Sequence, residues 1–242
     1  MQADGAGIIW RTRSAWEAVD LGIHLLQCWL KPVFFCYLAV AVPLFLVFAA
    51  TGAVIAWLPV LLIWYSKPWL DRTVLFVLSR ALFGVSSSPA DVWQARGEVW
   101  RAQLLSTLTL RRLTASRSFT QPVLQLEGLH GGALRERLKQ ITARHRATAR
   151  AVSLAFGTAE LSLFAALFVL EVWLAPHQVA EPWSDFQLLT VPHPNWLKTV
   201  EYAAVVLFLE PFYVAAGFGL YLNRRVELEA WDIEQEFRRA FA

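Results

Sequence analysis

Long apolar stretches alternate with charged stretches along this chain, and the last apolar stretch is the clearest. Residues 199–223 carry charge only at Glu201 and Glu210, and a helix needs about 20 apolar residues to cross the hydrocarbon core of a bilayer. The pattern therefore predicts a transmembrane helix over residues 198–222. In residues 223–242 apolar and acidic residues alternate, which predicts an amphipathic tail in the cytoplasm or along the lipid surface.

The first apolar stretch is longer and has to be divided. Residues 33–65 contain no charged side chain, which is too long for one transmembrane crossing and barely enough for two. Division at Thr51 predicts crossings over residues 33–50 and 53–70, in a hairpin within residues 32–85 whose flanking charged side chains snorkel to the interface. The alternative is a re-entrant hairpin that never reaches the far side of the membrane.

The segment before this hairpin, residues 1–31, has the pattern of an amphipathic helix. Apolar side chains recur at spacings of three and four with polar residues between them, which predicts a helix on the cytoplasmic surface of the membrane. The apolar positions are Trp16, Val19, Ile23 and Leu26.

Residues 86–150 are predicted to form a basic, helical cytoplasmic region. Ser88, followed by a proline and by Asp91, is typical of a helix start. Residues 111–132 break the helical period and contain Pro122, which predicts a structured loop with a short extended piece.

A long helical pattern then runs from Ala133 to Pro176. Its first half is basic, and its second half, residues 151–175, is the third predicted crossing. The loop over residues 176–197 contains no Lys or Arg, so the positive-inside rule places it outside. Residues 151–222 then form a second hairpin, and both ends of the chain are predicted to be cytoplasmic.

The composition indicates an integral membrane protein. Of 242 residues, 57% are apolar and 17% are charged, a balance that soluble domains rarely show. The predicted fold class is all-α, an integral membrane helical bundle with about four transmembrane helices and amphipathic cytoplasmic helices.

Basic residues are concentrated in the middle of the chain. The net charge is only +3, but most of the 22 Lys and Arg residues lie between Lys67 and Arg150. Beside membrane helices, such a stretch favours anionic lipid headgroups over nucleic acid as the partner. The residues predicted to contact headgroups are Arg135, Arg137, Arg224 and Arg225.

Four carboxylates in the third and fourth predicted crossings are the most suggestive chemistry. Glu171 and Glu201 are expected near the outer interface. Glu160 and Glu210 are expected deeper, where an acid costs about 2.5 to 3.5 kcal/mol on insertion scales. Because no Lys or Arg lies within either crossing, we expect each deep acid to be protonated or hydrogen-bonded to a hydroxyl group or a buried water. The two interpretations are a proton or cation relay and a polar clasp that joins two helices.

Two features near the end of the chain predict local structure. Pro211 lies at the midpoint of the fourth crossing, where it removes a backbone donor and predicts a kink. The tail has an apolar stripe that we expect to pack on the helix beginning at Asp91. The residues expected to dock there are Trp231, Ile233 and Phe237.

The sequence shows no pattern typical of an enzyme or a metal site. It contains no GxSxG, CxxC or kinase motif, and the polar residues of the predicted outer loop have no compact ligand spacing. Cys28 and Cys36 point to different faces of a helix, which argues against a disulfide or a metal pair. We expect no catalytic residue, no metal and no cofactor.

Two strings of residues carry a resemblance. Residues 117–129 read RSFTQPVLQLEGL, and residues 212–239 read FYVAAGFGLYLNRRVELEAWDIEQEFRR. They resemble a family of uncharacterised proteobacterial polytopic inner-membrane proteins. The resemblance implies a bacterial inner-membrane location and partners that include a MoxR-type ATPase system, and it implies no catalytic residue.

These patterns favour a non-enzymatic scaffold or accessory subunit of a bacterial envelope complex, in contact with other inner-membrane or cytoplasmic proteins. The alternatives are a transport component that uses the intramembrane carboxylates and a lipid-processing membrane enzyme.

Overall fold

The computed structural model describes residues 11–101, 116–174 and 196–229. Within these ranges every regular element is helical, which confirms the all-α prediction. The α-helices are α1 (Ala15–Cys28), α2 (Leu30–Ala50), α3 (Leu58–Ala81), α4 (Pro89–Gln94), α5 (Arg117–Leu126), α6 (Gly131–Leu174) and α7 (Trp196–Glu229).

Among the described residues, three stretches are long and apolar enough to cross a membrane. They lie in α2 with the turn that follows it, in α6 and in α7: Leu30–Ala53, Gly131–Glu171 and Trp196–Glu229. The apolar run of α3 is interrupted by Lys67, Asp71 and Arg72, and α3 is therefore not one of the three. The second predicted crossing, over residues 53–70, stays a prediction.

The helix at the centre of the bundle is α7. It contacts α1, α2, α3, α5 and α6, and nearly every residue from Glu210 to Asn223 is buried. The apolar side chains on this part of α7 therefore face protein on all sides, and the other helices are arranged around it.

Small residues let two helices approach the backbone of α7. A Cβ atom added at Gly219 would lie 2.1 Å from the carbonyl oxygen of Ala18 in α1. One added at Gly217 would lie 2.3 Å from the Cβ atom of Ser118 in α5. Both distances are far below van der Waals contact, so these crossings require glycine, as in other closely packed membrane helices.

The predicted amphipathic helix is α1, and it lies across α7. Ala18 and Gly22 lie at this contact, and both are buried, as is Leu26. Among the other predicted apolar positions, Val19 is buried as well, whereas Trp16 is 57% exposed. The face of α1 that turns inward is therefore set by the small residues that allow the close crossing.

Residues 117–126 form α5, so the prediction of a loop with an extended piece is wrong for this part of the chain. Phe119 and Val123 lie one helical turn apart and are fully buried. Pro122 has no backbone N–H, so α5 lacks one hydrogen bond, the one to the carbonyl of Ser118. Burial of the apolar face favours the helix in spite of that loss.

The helix start predicted at Ser88 is confirmed in α4. The Ser88 hydroxyl accepts a hydrogen bond from the backbone N–H of Asp91, and the Asp91 carboxylate accepts one from the backbone N–H of Ser88 at 2.8 Å. This reciprocal arrangement is a capping box. A π-helical turn, Gly97–Arg101, follows α4.

The longest helix, α6, begins close to the predicted start at Ala133 and is kinked at His145. The backbone angles of His145 are φ −110° and ψ 16°, which are not helical. The imidazole Nε2 lies 3.0 Å from Glu227 Oε1 of α7. The kink therefore separates a basic first half, which is tied to α7, from the apolar second half.

Candidate functional site: an ion-pair cluster inside the bundle

Four helices bring charged side chains to one place inside the bundle. Lys67 and Asp71 lie one turn apart on α3, and Arg117 begins α5. Glu160 and Glu210 come from the apolar stretches of α6 and α7. Lys67, Asp71 and Glu210 are buried, with 7%, 0% and 2% of their surface exposed. We call these five residues the ion-pair cluster.

The ammonium group of Lys67 joins the two glutamates of the apolar stretches. Its Nζ lies 2.6 Å from Glu160 Oε2 and 2.8 Å from Glu210 Oε2. Both contacts have the short length of charge-assisted hydrogen bonds. One cation from α3 therefore links α6 to α7.

The guanidinium group of Arg117 holds the other side of Glu210. Its Nη2 donates to Glu210 Oε1, its Nε lies 3.2 Å from Asp71 Oδ2, and its Cζ lies 5.2 Å from the centre of the Tyr213 ring. Burial by itself lowers the pKa of Arg117, but the carboxylates of Asp71 and Glu210 outweigh burial and raise its pKa. Arg117 is therefore permanently charged, and it holds Glu210 beside Asp71.

Hydroxyl groups complete the contacts on the α6 side of the cluster. The Tyr202 hydroxyl donates to Glu160 Oε1 at 2.7 Å. About two helical turns nearer the kink of α6, Ser153 Oγ lies 3.0 Å from the hydroxyl oxygen of Tyr213. These bonds, with the Lys67 contact, are polar connections between the apolar half of α6 and the rest of the bundle.

A cavity of about 160 Å³ adjoins the ion-pair cluster. Its volume is enough for several water molecules or a small polar group. Phe156, Gly157 and Leu209 form its apolar walls. Its polar lining consists of Lys67, Arg117, Ser153, Glu160, Glu210 and Tyr213.

The expectation that no cation pairs with the deep acids is wrong. Lys67 and Arg117 both contact Glu210, and Lys67 also contacts Glu160. The reason is that the cations come from α3 and α5, which the sequence pattern assigned to the membrane interface and to a loop. The sequence contains one signal that points to Lys67: it follows directly on a long uncharged stretch, where burial is more probable than on a charged surface.

The other two predicted carboxylates lie away from the ion-pair cluster. Glu171 Oε2 and Glu201 Oε2 are buried and make no hydrogen bond within the described parts of the chain. They come from the end of the apolar stretch of α6 and the start of that of α7. They are not brought together with Glu160 or Glu210.

Three of the four arginines predicted to contact lipid headgroups are held in ion pairs instead. Arg137 lies 2.7 Å from Glu127 and 2.6 Å from Glu229. Arg225 lies 2.6 Å from Glu229. The Arg137–Glu229 pair ties the first half of α6 to α7, whereas Arg225 and Glu229 lie one turn apart on α7. Both guanidinium groups therefore have partners within the protein.

The third of these arginines, Arg224, also contacts groups of the protein. Arg224 lies 2.6 Å from Glu227 and donates to the carbonyl of Gln140. The fourth, Arg135, is exposed on α6. Contact with lipid headgroups therefore stays a prediction. Of the four arginines, Arg135 is the one that is exposed and suited to make this contact.

The remaining predicted features are placed as follows. Pro211 is buried within α7, which is helical from Trp196 to Glu229, and the kink stays a prediction. The docking residues Trp231, Ile233 and Phe237 lie outside the described residues. In the described ranges, no group of three His, Cys, Asp or Glu side chains has the arrangement of a metal site.

Comparison of the chain with protein-family models, with curated proteins and with solved structures gives no match.

Proposed function

We propose that this chain is a membrane transport component in which Glu160 takes up and releases a proton, Glu210 positions the two cations, and a small polar ligand occupies the cavity. One observation supports the proposal above all. Four charged side chains of the ion-pair cluster, one from each of four helices, line a cavity beside helices that are apolar enough to span a membrane. Ionisable residues inside membrane proteins pair with one another and line substrate and proton pathways.

Stability alone is a weak explanation for the ion-pair cluster. Removing charges from water costs several kcal/mol per ion, and apolar side chains of similar volume are often as stable as a buried ion pair or more stable. Close crossings at small residues, such as Gly217 and Gly219 of α7, hold membrane helices together without ions. A chemical role at the cavity is therefore the better reason for the charges.

The charges of the cluster favour proton exchange because they do not balance. Asp71, Glu160 and Glu210 are three carboxylates, and Lys67 and Arg117 are two cations, so the fully ionised cluster carries a net charge of −1. An unbalanced charge in a buried site is costly, and binding one proton removes it.

Within the cluster, Glu160 is the carboxylate best placed to exchange partners. Its side chain is 15% exposed, against 3% for Glu210. Glu210 is held by Lys67 and Arg117 together, whereas Lys67 is the single cation on Glu160 within the described residues. We therefore assign the proton-exchanging role first to Glu160 and a positioning role to Glu210.

The bacterial inner membrane is the location that we propose, with several crossings and both termini in the cytoplasm. The distribution of basic residues and the resemblance of the two strings support it. Partners in the same proposal are anionic headgroups at Arg135 and a MoxR-type ATPase system. The scaffold interpretation stays a prediction, and the same experiment tests it.

The access of a water-soluble reagent to the cavity tests the transport proposal. A Cβ atom added at Gly157 would meet no atom within 4 Å, so Gly157→Cys introduces a thiol at the cavity wall without a clash. The background carries Cys28→Ser and Cys36→Ser. Membrane vesicles of both orientations are treated with a membrane-impermeant maleimide at mildly acidic and mildly alkaline pH.

A transport component should be labelled at Gly157→Cys from both sides of the membrane. Every thiol reacts faster with maleimide as pH rises, because the thiolate is the nucleophile. Each rate is therefore divided by the rate of a reference thiol at the same pH, Ala143→Cys, which is exposed on the basic half of α6 outside the cavity lining. This ratio should change with pH in the protein that carries Glu160 and should stay constant with Glu160→Gln. Labelling of Gly157→Cys from one side only, with a ratio that does not change with pH, would contradict transport and favour a static scaffold.

A further inference from the structure

The cavity beside the ion-pair cluster reaches the exposed side of α6. Gly157 lines the cavity, and Leu154 and Leu161, about one turn before and after it, are 67% and 71% exposed. The space at the Cβ position of Gly157 is open. In an apolar stretch long enough to span a membrane, a side opening of this kind faces lipid rather than water.

The inner end of the cavity presents charges of both signs. Lys67 and Arg117 offer hydrogen-bond donors, and Glu160 and Glu210 offer acceptors. Phe156, Gly157 and Leu209 add apolar lining, and Gly157 lies on the exposed side of α6 between Leu154 and Leu161. The cavity is therefore polar at one end and apolar at the other, which is the polarity of an amphiphile.

The contact between Lys67 and Glu160 limits which ligands can enter. The two groups are 2.6 Å apart, so a ligand that reaches them has to separate them. A simple anion would leave Glu160 without a counter-ion, and a simple cation would take Glu160 away from Lys67. A zwitterion replaces both partners together, with its cation on Glu160 and its anion on Lys67, and leaves neither charge unpaired.

We infer that the cavity binds the headgroup of an ethanolamine phospholipid, with the ammonium group at Glu160 and the phosphate at Lys67 and Arg117. This inference rests on the proposed transport function and names its substrate class. The acyl chains lie along α6 beside Leu154 and Leu161. A cavity of about 160 Å³ suits a headgroup of this size and leaves the chains outside.

The ammonium group of ethanolamine is the specific element of this choice. A primary ammonium donates three hydrogen bonds to carboxylate oxygens, as a lysine side chain does. A quaternary amine such as choline donates none, and a glycerol headgroup supplies no cation for Glu160. The structure therefore favours ethanolamine over choline and over glycerol headgroups.

Lipid retention by the purified full-length protein tests the inference. The protein in mild detergent is incubated with phosphatidylethanolamine, phosphatidylcholine, phosphatidylglycerol or diacylglycerol of identical acyl chains, and bound lipid is counted by native mass spectrometry. Soluble phosphoethanolamine is added as a competitor to separate headgroup binding from binding that requires the lipid. The variants are Gly157→Leu, which fills the opening, and Glu160→Gln, which removes the partner of the ammonium.

Phosphatidylethanolamine should be retained at least tenfold more than the other three lipids. Gly157→Leu and Glu160→Gln should each reduce this retention about tenfold, whereas the matched control Ala155→Leu, outside the cavity lining, should leave it unchanged. Soluble phosphoethanolamine should compete only weakly. Thermal unfolding of each variant is compared with that of the wild type to identify any variant that does not fold. If Gly157→Leu does not fold, the test rests on Glu160→Gln.

Equal retention of phosphatidylglycerol, or retention unchanged by both cavity variants, would overturn the inference. Full competition by soluble phosphoethanolamine would also overturn it, because the ligand would then be a free zwitterion. The transport proposal can fail separately. One-sided labelling of Gly157→Cys, with a pH dependence no different from that of the reference thiol, together with selective lipid retention would leave a lipid-binding site without transport.

Discussion

The apolar stretches of α6 and α7 are alike in sequence and opposite in environment. Only 6% of the most apolar part of α6 is buried in the protein, against 67% of that of α7. Hydropathy identifies both helices as suited to a membrane, but it does not say which of them meets lipid and which meets protein. Small residues decide the difference, because Gly217 and Gly219 let other helices reach the backbone of α7.

The two helices consequently have different roles at the ion-pair cluster. Glu210 is fixed within the bundle by two cations from α7's neighbours, and Glu160 lies on a helix with few buried contacts. We therefore expect substitutions in α7 to change stability and substitutions in α6 to change access to the cavity. The predictions below test this difference from the largest expected effect to the smallest.

Neutralising the α7 carboxylate is expected to have the largest effect. Glu210→Gln removes the charge that Lys67 and Arg117 share, and breaking a buried ion pair costs about 3–5 kcal/mol. Glu160→Gln should cost less, about 1–2 kcal/mol, because the Glu160 side chain is more exposed. The measurement is unfolding of the purified protein in mild detergent by added denaturing detergent. Equal losses for the two variants would show that the helices do not differ in this way.

Replacing a glycine by alanine tests the same difference between α6 and α7 without changing any charge. Gly219→Ala places a Cβ atom 2.1 Å from a backbone oxygen of α1 and should destabilise the protein by about 1–3 kcal/mol. Gly157→Ala meets open space in α6 and should stabilise it by about 0.5–1 kcal/mol through helix propensity. Both are measured by the same unfolding assay. A loss at Gly157→Ala as large as that at Gly219→Ala would contradict the assignment of α6 to an open environment.

The hydroxyl pair that joins the two helices should contribute less. Tyr213→Phe removes the acceptor of the Ser118 backbone N–H and the partner of Ser153, and should cost about 1 kcal/mol. Ser153→Ala removes the second contact alone and should cost a smaller amount. A double variant should then lose less than the sum of the two, because both changes delete one shared bond. If the free-energy losses of the two single variants sum to that of the double variant, the hydrogen bond between Ser153 and Tyr213 does not form.

The smallest effect lies outside both apolar stretches, at the capping box of α4. Hydrogen bonds from the Ser88 backbone and side chain lower the pKa of Asp91 below its ordinary value of 3.8. The stabilisation is therefore present above the unfolded-state pKa and is lost as pH falls through the folded-state pKa. Protection of the first amides of α4 against hydrogen exchange, measured relative to the unstructured exchange rate at each pH, should therefore fall at acidic pH in the wild type. Asp91→Asn should exchange faster at neutral pH already, and an unchanged profile would refute the role of the carboxylate.

Helices with a strong pattern could be predicted from the sequence. The start of α4 at Ser88 and the long helix that begins near Ala133 follow from capping chemistry and from periodicity. α5 could not be predicted, because Pro122 is a local signal against a helix. Burial of Phe119 and Val123 against the bundle outweighs that signal, and burial is a property of the whole fold.

The acids of the candidate site could be predicted, but their partners could not. Glu160 and Glu210 stand out because they interrupt apolar stretches. Lys67 precedes Glu160 by 93 positions and Arg117 precedes Glu210 by 93, and nothing in the local pattern records a pairing at that distance. The sequence predicts a direct polar clasp between the helices of the two acids. In the structure Lys67 lies between the two carboxylates and contacts both.

The crossing of α1 over α7 also bears on how this protein is made. The backbone N–H of Arg13 donates to the Asn223 side chain across 210 positions, and Gly22 touches Ala215 a little further along the same crossing. The ribosome releases α1 before α2, α3 and α6, and its docking surface on α7 is synthesised after all of them. Until then the buried side of α1 has no α7 to pack against. Docking of α1 therefore has to wait for the last of these helices, and a chain truncated before α7 would leave α1 without its main packing partner and more open to proteolysis.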